Sequence, residues 1–133
     1  MPTKTSGTLF PKVFINYRRE DGAAFAGRIY DRVSRLIPDA NIFMDVDTLK
    51  PGADFAREIE KAISGCDIFL ALIGPKWLTS RDVHEEPRIN NPNDFVRLEI
   101  AEALKRNMTV IPVLIDGAEV PAASQLPDNL VSL

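Results

Sequence analysis

Short apolar runs alternate along the chain with stripes at helical period. Lys12–Tyr17 is apolar at its centre and ends in the polar cluster Arg18–Gly22, which predicts a strand closed by a loop. Phe25, Ile29, Val33 and Leu36 then recur at steps of four, four and three, a single stripe that predicts a helix with Asp21 as N-cap and Pro38 as its stop. Asn41–Asp45 is a second, short strand, and Asp47–Ala53, which contains Pro51–Gly52, is a loop. Asp54 caps a second helix that carries Phe55, Ile59 and Ile63 inward and stops near Gly65. Asp67–Ile73 predicts a third, buried strand. Arg81–Asn93 is long and polar and contains two prolines, so an exposed loop is expected before a third helix over Asp94–Arg106. Thr109–Ile115 is a fourth strand, and Pro112 suggests an edge or strand-end position for it.

The order is therefore βαβαβαβ, which predicts an α/β fold with a flavodoxin-like, doubly wound parallel sheet covered on both faces and right-handed crossovers. Ligands of such sheets bind outside the carboxyl ends of the strands. The loops of interest are then Tyr17–Gly22, Asp45–Ala53, Gly74–Asp94 and the segment from Asp116 onward. Residues 1–11, rich in Thr, Ser, Gly and Pro, read as a flexible lead-in to one domain over 12–133. The stretch Ala118–Leu133 stops where another strand and helix would close the sheet, so the chain is expected to be a fragment of a longer protein.

Composition narrows the chemistry. At 133 residues, 45% hydrophobic and 26% charged, the chain has the size and balance of one globular domain, which excludes wholesale disorder and coiled coil. No run approaches the roughly 18 apolar residues of a membrane span. A formal charge of −3 and a pI of about 5.2 argue against nucleic acid held by bulk electrostatics. The single cysteine, Cys66, and the single histidine, His84, exclude an internal disulfide, a four-thiolate zinc site and a multi-histidine metal site. No metal and no cofactor is expected, no phosphate-cradling Gly-rich motif is present, and the cytoplasm is the expected compartment. Cys66, ahead of an apolar strand, reads as a buried, inert thiol. His84 reads as a solvated loop residue or a site residue. Asp45 and Asp47 are either a carboxylate pair able to hold magnesium or ordinary loop and cap chemistry.

Glu99 is the most informative carboxylate. On a wheel at about 100° per residue, Val96, Ile100, Ala103 and Leu104 form the core-facing arc of the third helix. Glu99 lies at the edge of that arc, with Phe95 one turn before it on the same side. An acid so placed is partly desolvated and suits stabilisation of developing positive charge in a cleft. The alternative is a rim glutamate paired with Lys105 or Arg106.

Four stretches together resemble a Toll/interleukin-1 receptor (TIR) domain of the bacterial type. They are Val13–Asp21; Ile42–Asp45 with Leu49–Phe55; Ser64–Asp67 leading into Ile73–Leu78; and Asp94–Ile100. The resemblance covers about Val13 to Ile115, and each motif falls on the expected element. It implies one of two functions. The first is cleavage of NAD+ at the nicotinamide–ribose bond, giving nicotinamide and ADP-ribose or a cyclic variant, activated by self-assembly. The second is a non-catalytic TIR–TIR adaptor. Glu99 with an aromatic residue ahead of it favours the enzyme, although Phe95 stands where the family often has tryptophan.

The resemblance assigns catalysis to Glu99, through hydrogen bonds to the ribose hydroxyls and stabilisation of an oxocarbenium-like centre. It assigns substrate binding to Phe95, Trp77, Tyr17, Arg18, Arg19, Asp45 and Gly52. Phe95 or Trp77 would stack on a ring, with core anchoring the alternative for Trp77. Arg18 or Arg19 would meet the pyrophosphate, with a solvated charge pair the alternative. Expected partners are NAD+ as substrate and other TIR domains, stacked head to tail into a filament. Neither nucleic acid nor membrane is expected. A nucleoside deoxyribosyltransferase also places a carboxylate at a ribosyl centre, but the Pro51–Gly52 loop and the Trp77 segment argue against it.

Overall fold

The computed structural model describes residues 11–44 and 55–133. The Met1–Phe10 lead-in, Asp45, Asp47, the Pro51–Gly52 loop and the Asp54 cap lie outside the described residues. Four strands are formed: β1 (Lys12–Asn16), β2 (Asn41–Met44), β3 (Ile68–Ile73) and β4 (Thr109–Leu114). Three helices alternate with them: α1 (Arg19–Leu36), α2 (Phe55–Ser64) and α3 (Phe95–Lys105). The strands run in the order β2-β1-β3-β4, and every pairing is parallel. This is the expected α/β sheet, with β4 and its Pro112 at an edge.

Period-two alternation sorts the strand residues onto two faces. Phe14 and Phe69 face in register toward α2 and α3, their rings stacked with centroids 5.3 Å apart, and join Ile59, Ile63, Trp77 and Ile100. Val13, Ile15 and Leu72 point the other way and meet Ala26 of α1 and Ile115. The carboxyl end of β1 therefore emerges between two cores, and the residues that follow it are held from both sides.

Three expectations are corrected. α1 begins at Arg19, with Arg18 at the N-cap position and no side-chain cap, so Asp21 falls inside its first turn. The Asp21 carboxylate instead accepts a hydrogen bond from the Lys76 backbone N–H at 2.7 Å. It also passes so close to Gly74 that a Cβ there would lie 2.6 Å from an oxygen, which explains the glycine. Leu36, the last member of the predicted stripe, sits at the helix end and is exposed; Gly22 and Ala26 form the buried line of α1. The Arg81–Asn93 loop is not wholly exposed. Arg81 bridges Pro87, a 3₁₀ turn forms over Arg88–Asn90, and that turn drives Ile89 into the core. Farther along, two more 3₁₀ turns, Ala123–Gln125 and Asp128–Leu130, fold the last residues back, with Leu130 buried in the same core as α3.

Candidate active site

The carboxyl end of β1 and the amino-terminal half of α3 meet in a cleft of about 470 Å³, within the range of small-molecule sites. Tyr17, Arg18, Arg19, Phe95 and Glu99 all line it. Five residues singled out from the sequence are thus brought together. Trp77 is not among the lining residues: it is 1% exposed and packed in the core. Its backbone carbonyl meets Arg18 of the cleft. Asp45 and Gly52 fall outside the described residues.

The cleft is organised by a buried ion pair. Arg18 is 4% exposed and lies against the Asp94 side chain, itself 7% exposed. Its two terminal nitrogens donate to the two Asp94 carboxylate oxygens at 3.0 and 2.8 Å, and its Nε donates to the Trp77 carbonyl at 3.2 Å. Asp94 is also the N-cap of α3, accepting from the Arg97 backbone N–H. A charge-assisted fork of this kind fixes both partners. Arg18 therefore uses its guanidinium to join the end of β1 to the start of α3 and to the Trp77 segment, while it also lines the cleft.

Glu99 lies one turn after Phe95, facing inward and only 5% exposed. At 5% exposure Glu99 is not the exposed rim residue of the alternative, and Arg106 pairs with Glu102 at 2.5 Å. The Glu99 Oε1 accepts a hydrogen bond from Asn16 Nδ2 at 2.7 Å. Asn16 is 1% exposed and also donates to the Val96 carbonyl at 3.3 Å. Sequence reading missed Asn16, although a lone amide closing an apolar strand was a visible signal. It also missed Arg88, which lines the cleft 3.6 Å from Glu20 and donates through Nε to the Arg81 carbonyl.

Other titratable groups have plainer roles. Asp82, at the cleft wall, accepts backbone N–H bonds from Glu86 and His84, and these hold its carboxyl below the usual range. His84 is exposed and is not among the lining residues. Burial, with the neighbouring Asp67 charge second, pushes the Cys66 thiol up to about 11, as suits an inert core sulfur. Among the described residues, no helix is long and apolar enough to cross a membrane.

Comparison with known proteins agrees with this architecture. The NAD(+) hydrolase sarm1 of Drosophila melanogaster is 27% identical over 121 residues, a match covering 91% of this chain but only 8% of the fly protein. The chain also superposes on the TIR domains of the activated Roq1 resistosome directly recognizing the pathogen effector XopQ, with a TM-score of 0.59 and 20% identity over 91% of this chain and 67% of that one. The family model for the TIR domain matches residues 13–132, and with the parallel sheet and the cleft it leads to a plain assignment: the chain belongs to the TIR domain family.

Proposed function

We propose that this chain is an NAD+ nucleosidase-type TIR domain that cleaves the nicotinamide–ribose bond and works in an assembled state. The observation that carries the reading is Glu99, a carboxylate only 5% exposed on helix α3 and one of the residues that line the cleft. Nicotinamide in NAD+ is a cationic leaving group, so its departure needs no general acid. What needs help is the oxocarbenium-like ribosyl centre left behind, and a fixed carboxylate of low exposure supplies negative charge where it develops. Glu99 hydrogen-bonds the ribose hydroxyls, and Phe95 and Tyr17 offer ring faces in the same cleft. With Arg18 committed to Asp94, Arg19 and Arg88 are the lining cations assigned to the pyrophosphate. Water or the adenine ring captures the cation, giving linear or cyclic ADP-ribose.

The name of the fly relative supports the choice of substrate, and the assembled state of the resistosome TIR domains supports activation by self-association. The test is incubation with NAD+ at low and high protein concentration, with products resolved by chromatography. Nicotinamide should appear, and specific activity should rise with protein concentration. Glu99→Gln, which keeps shape and removes charge, should abolish turnover. Wild-type turnover in Glu99→Gln at matched stability would overturn the assignment of Glu99. Absence of nicotinamide at every concentration would leave the adaptor reading.

A further inference from the structure

We infer that Asn16 is a positioning residue for Glu99, an inference that rests on the NAD+-cleaving reading above. Asn16 is the last residue of β1, paired in register with Ala71 of β3, so its backbone is fixed in the middle of the sheet. The residue is 1% exposed. From that anchored position Nδ2 reaches two acceptors on α3, the Glu99 Oε1 at 2.7 Å and the Val96 carbonyl at 3.3 Å. Both acceptors demand a donor, and this fixes which end of the amide faces α3: the flipped amide would set Oδ1 against a carboxylate and a carbonyl. Oδ1 has no hydrogen-bond partner among the described residues, so the interaction with α3 is the polar contact that settles the side chain.

The chemistry asks for this residue type. A carboxylate 5% exposed loses most of its water and needs a donor to stay in one place. A cationic donor at this position would oppose the negative charge that the ribosyl centre requires. A neutral amide orients the carboxylate and adds no charge of its own. A second carboxylate at 2.7 Å would repel it instead. Asn16 touches no reacting atom; it acts through Glu99, holding the carboxylate within the small tolerance that a productive geometry allows.

The test compares Asn16→Asp and Asn16→Leu with wild type and Glu99→Gln, measuring kcat and KM for NAD+ across pH. Asn16→Asp keeps size; two carboxyls this close share one proton, so the donor is kept below the pKa of the pair and lost above it. Above that pKa its kcat should fall about 100-fold, on the scale of losses caused by misplacing a reacting group by an ångström, with KM changed less than about threefold. Lowering the pH should restore part of that kcat, because the introduced carboxyl, once protonated, again donates to Glu99. Asn16→Leu should show the same loss with no acid recovery, which a packing defect shared by both variants would not produce. Where either variant folds poorly, the pair Asn16→Asp with Glu99→Gln serves instead. It restores the hydrogen bond with donor and acceptor exchanged, so it should melt higher than Asn16→Asp alone. Wild-type kcat in Asn16→Leu, identical pH profiles for the two variants, or no recovery of melting temperature in the pair would each overturn the role of Asn16. An inactive wild type, or an active Glu99→Gln, would overturn the reading beneath it instead.

Discussion

Replacing Arg18 by Met tests whether this arginine is a structural clamp or a ligand for phosphate. The substitution keeps most of the aliphatic stem and removes the guanidinium. It deletes hydrogen bonds of 3.0 and 2.8 Å to Asp94 and one of 3.2 Å to the Trp77 carbonyl. With the partners 4% and 7% exposed, the loss is that of one member of a buried pair, about 3–5 kcal/mol, and not the roughly 0–1 kcal/mol of a surface pair. The Arg97 backbone N–H still holds Asp94 at 3.2 Å, which places the expected cost at the lower end, about 3 kcal/mol. At a urea dependence of about 2 kcal/mol per molar, the unfolding midpoint should drop by about 1.5 M. Trp77, the one tryptophan and fully buried, reports the transition by fluorescence, with circular dichroism as the second probe. Adding Asp94→Asn to Arg18→Met keeps a cap and removes the stranded charge, so it should regain about 1–2 kcal/mol. A midpoint drop below about 0.3 M, with a raised KM for NAD+, would refute the clamp and return Arg18 to the pyrophosphate.

Phe95→Ala should lower turnover more than Phe95→Trp, since the ring lines the cleft one turn from Glu99; equal losses with equal falls in melting temperature would mark a packing defect. Cys66, pushed up from 9.0 to about 11 by burial, should react with iodoacetamide at neutral pH at least about 100-fold more slowly in the native protein than in urea, and comparable rates would show that the sulfur is not protected. Gly74→Ala should destabilise the domain by about 1–3 kcal/mol in the same urea assay, because the new methyl meets the Asp21 carboxylate, and Gly74→Ala with Asp21→Ala should lose less than the sum of the two.

The elements were legible because their signals are local. Continuous apolar strands and a stripe at helical period each need only a window of a few residues, and β1, β3, α3 and β4 fall within about one residue of the positions read from pattern. The misses occurred where a distant partner outweighs local preference. Asp21 has the residue type of an N-cap, yet its carboxylate is taken by the Lys76 N–H across 55 residues of sequence. Arg81–Asn93 has the composition of a solvated loop, yet a single isoleucine in a 3₁₀ turn anchors it. Leu36 continues a hydrophobic stripe to the very end of the helix, where its side chain stays exposed.

At the site, composition and spacing identify which residue types are present but not what they face. The Tyr17–Gly22 loop was legible from the strand-end rule and Glu99 with Phe95 from the helix face, while the family resemblance picked out Tyr17, Arg18 and Arg19; all five line the cleft. Their division of labour was not legible. An arginine just past a strand reads the same whether its head meets a ligand or a helix cap; in the structure it meets Asp94, 76 residues away. A glutamate at the edge of a helical arc reads the same whether it turns to solvent or inward; Asn16, 83 residues away, supplies a donor that helps it stay buried. Both pairings join the end of β1 to the start of α3, one as a buried ion pair and one through a neutral amide. The ion pair offsets the Asp94 charge with that of Arg18 and fixes the helix, so Asp94 has little charge to offer a ligand. The amide fixes Glu99 while adding no positive charge, so the acid that lines the cleft is oriented and not neutralised by that contact. The proposed reaction requires an acid held in the second way, and on that proposal Glu99, not Asp94, is the carboxylate to substitute.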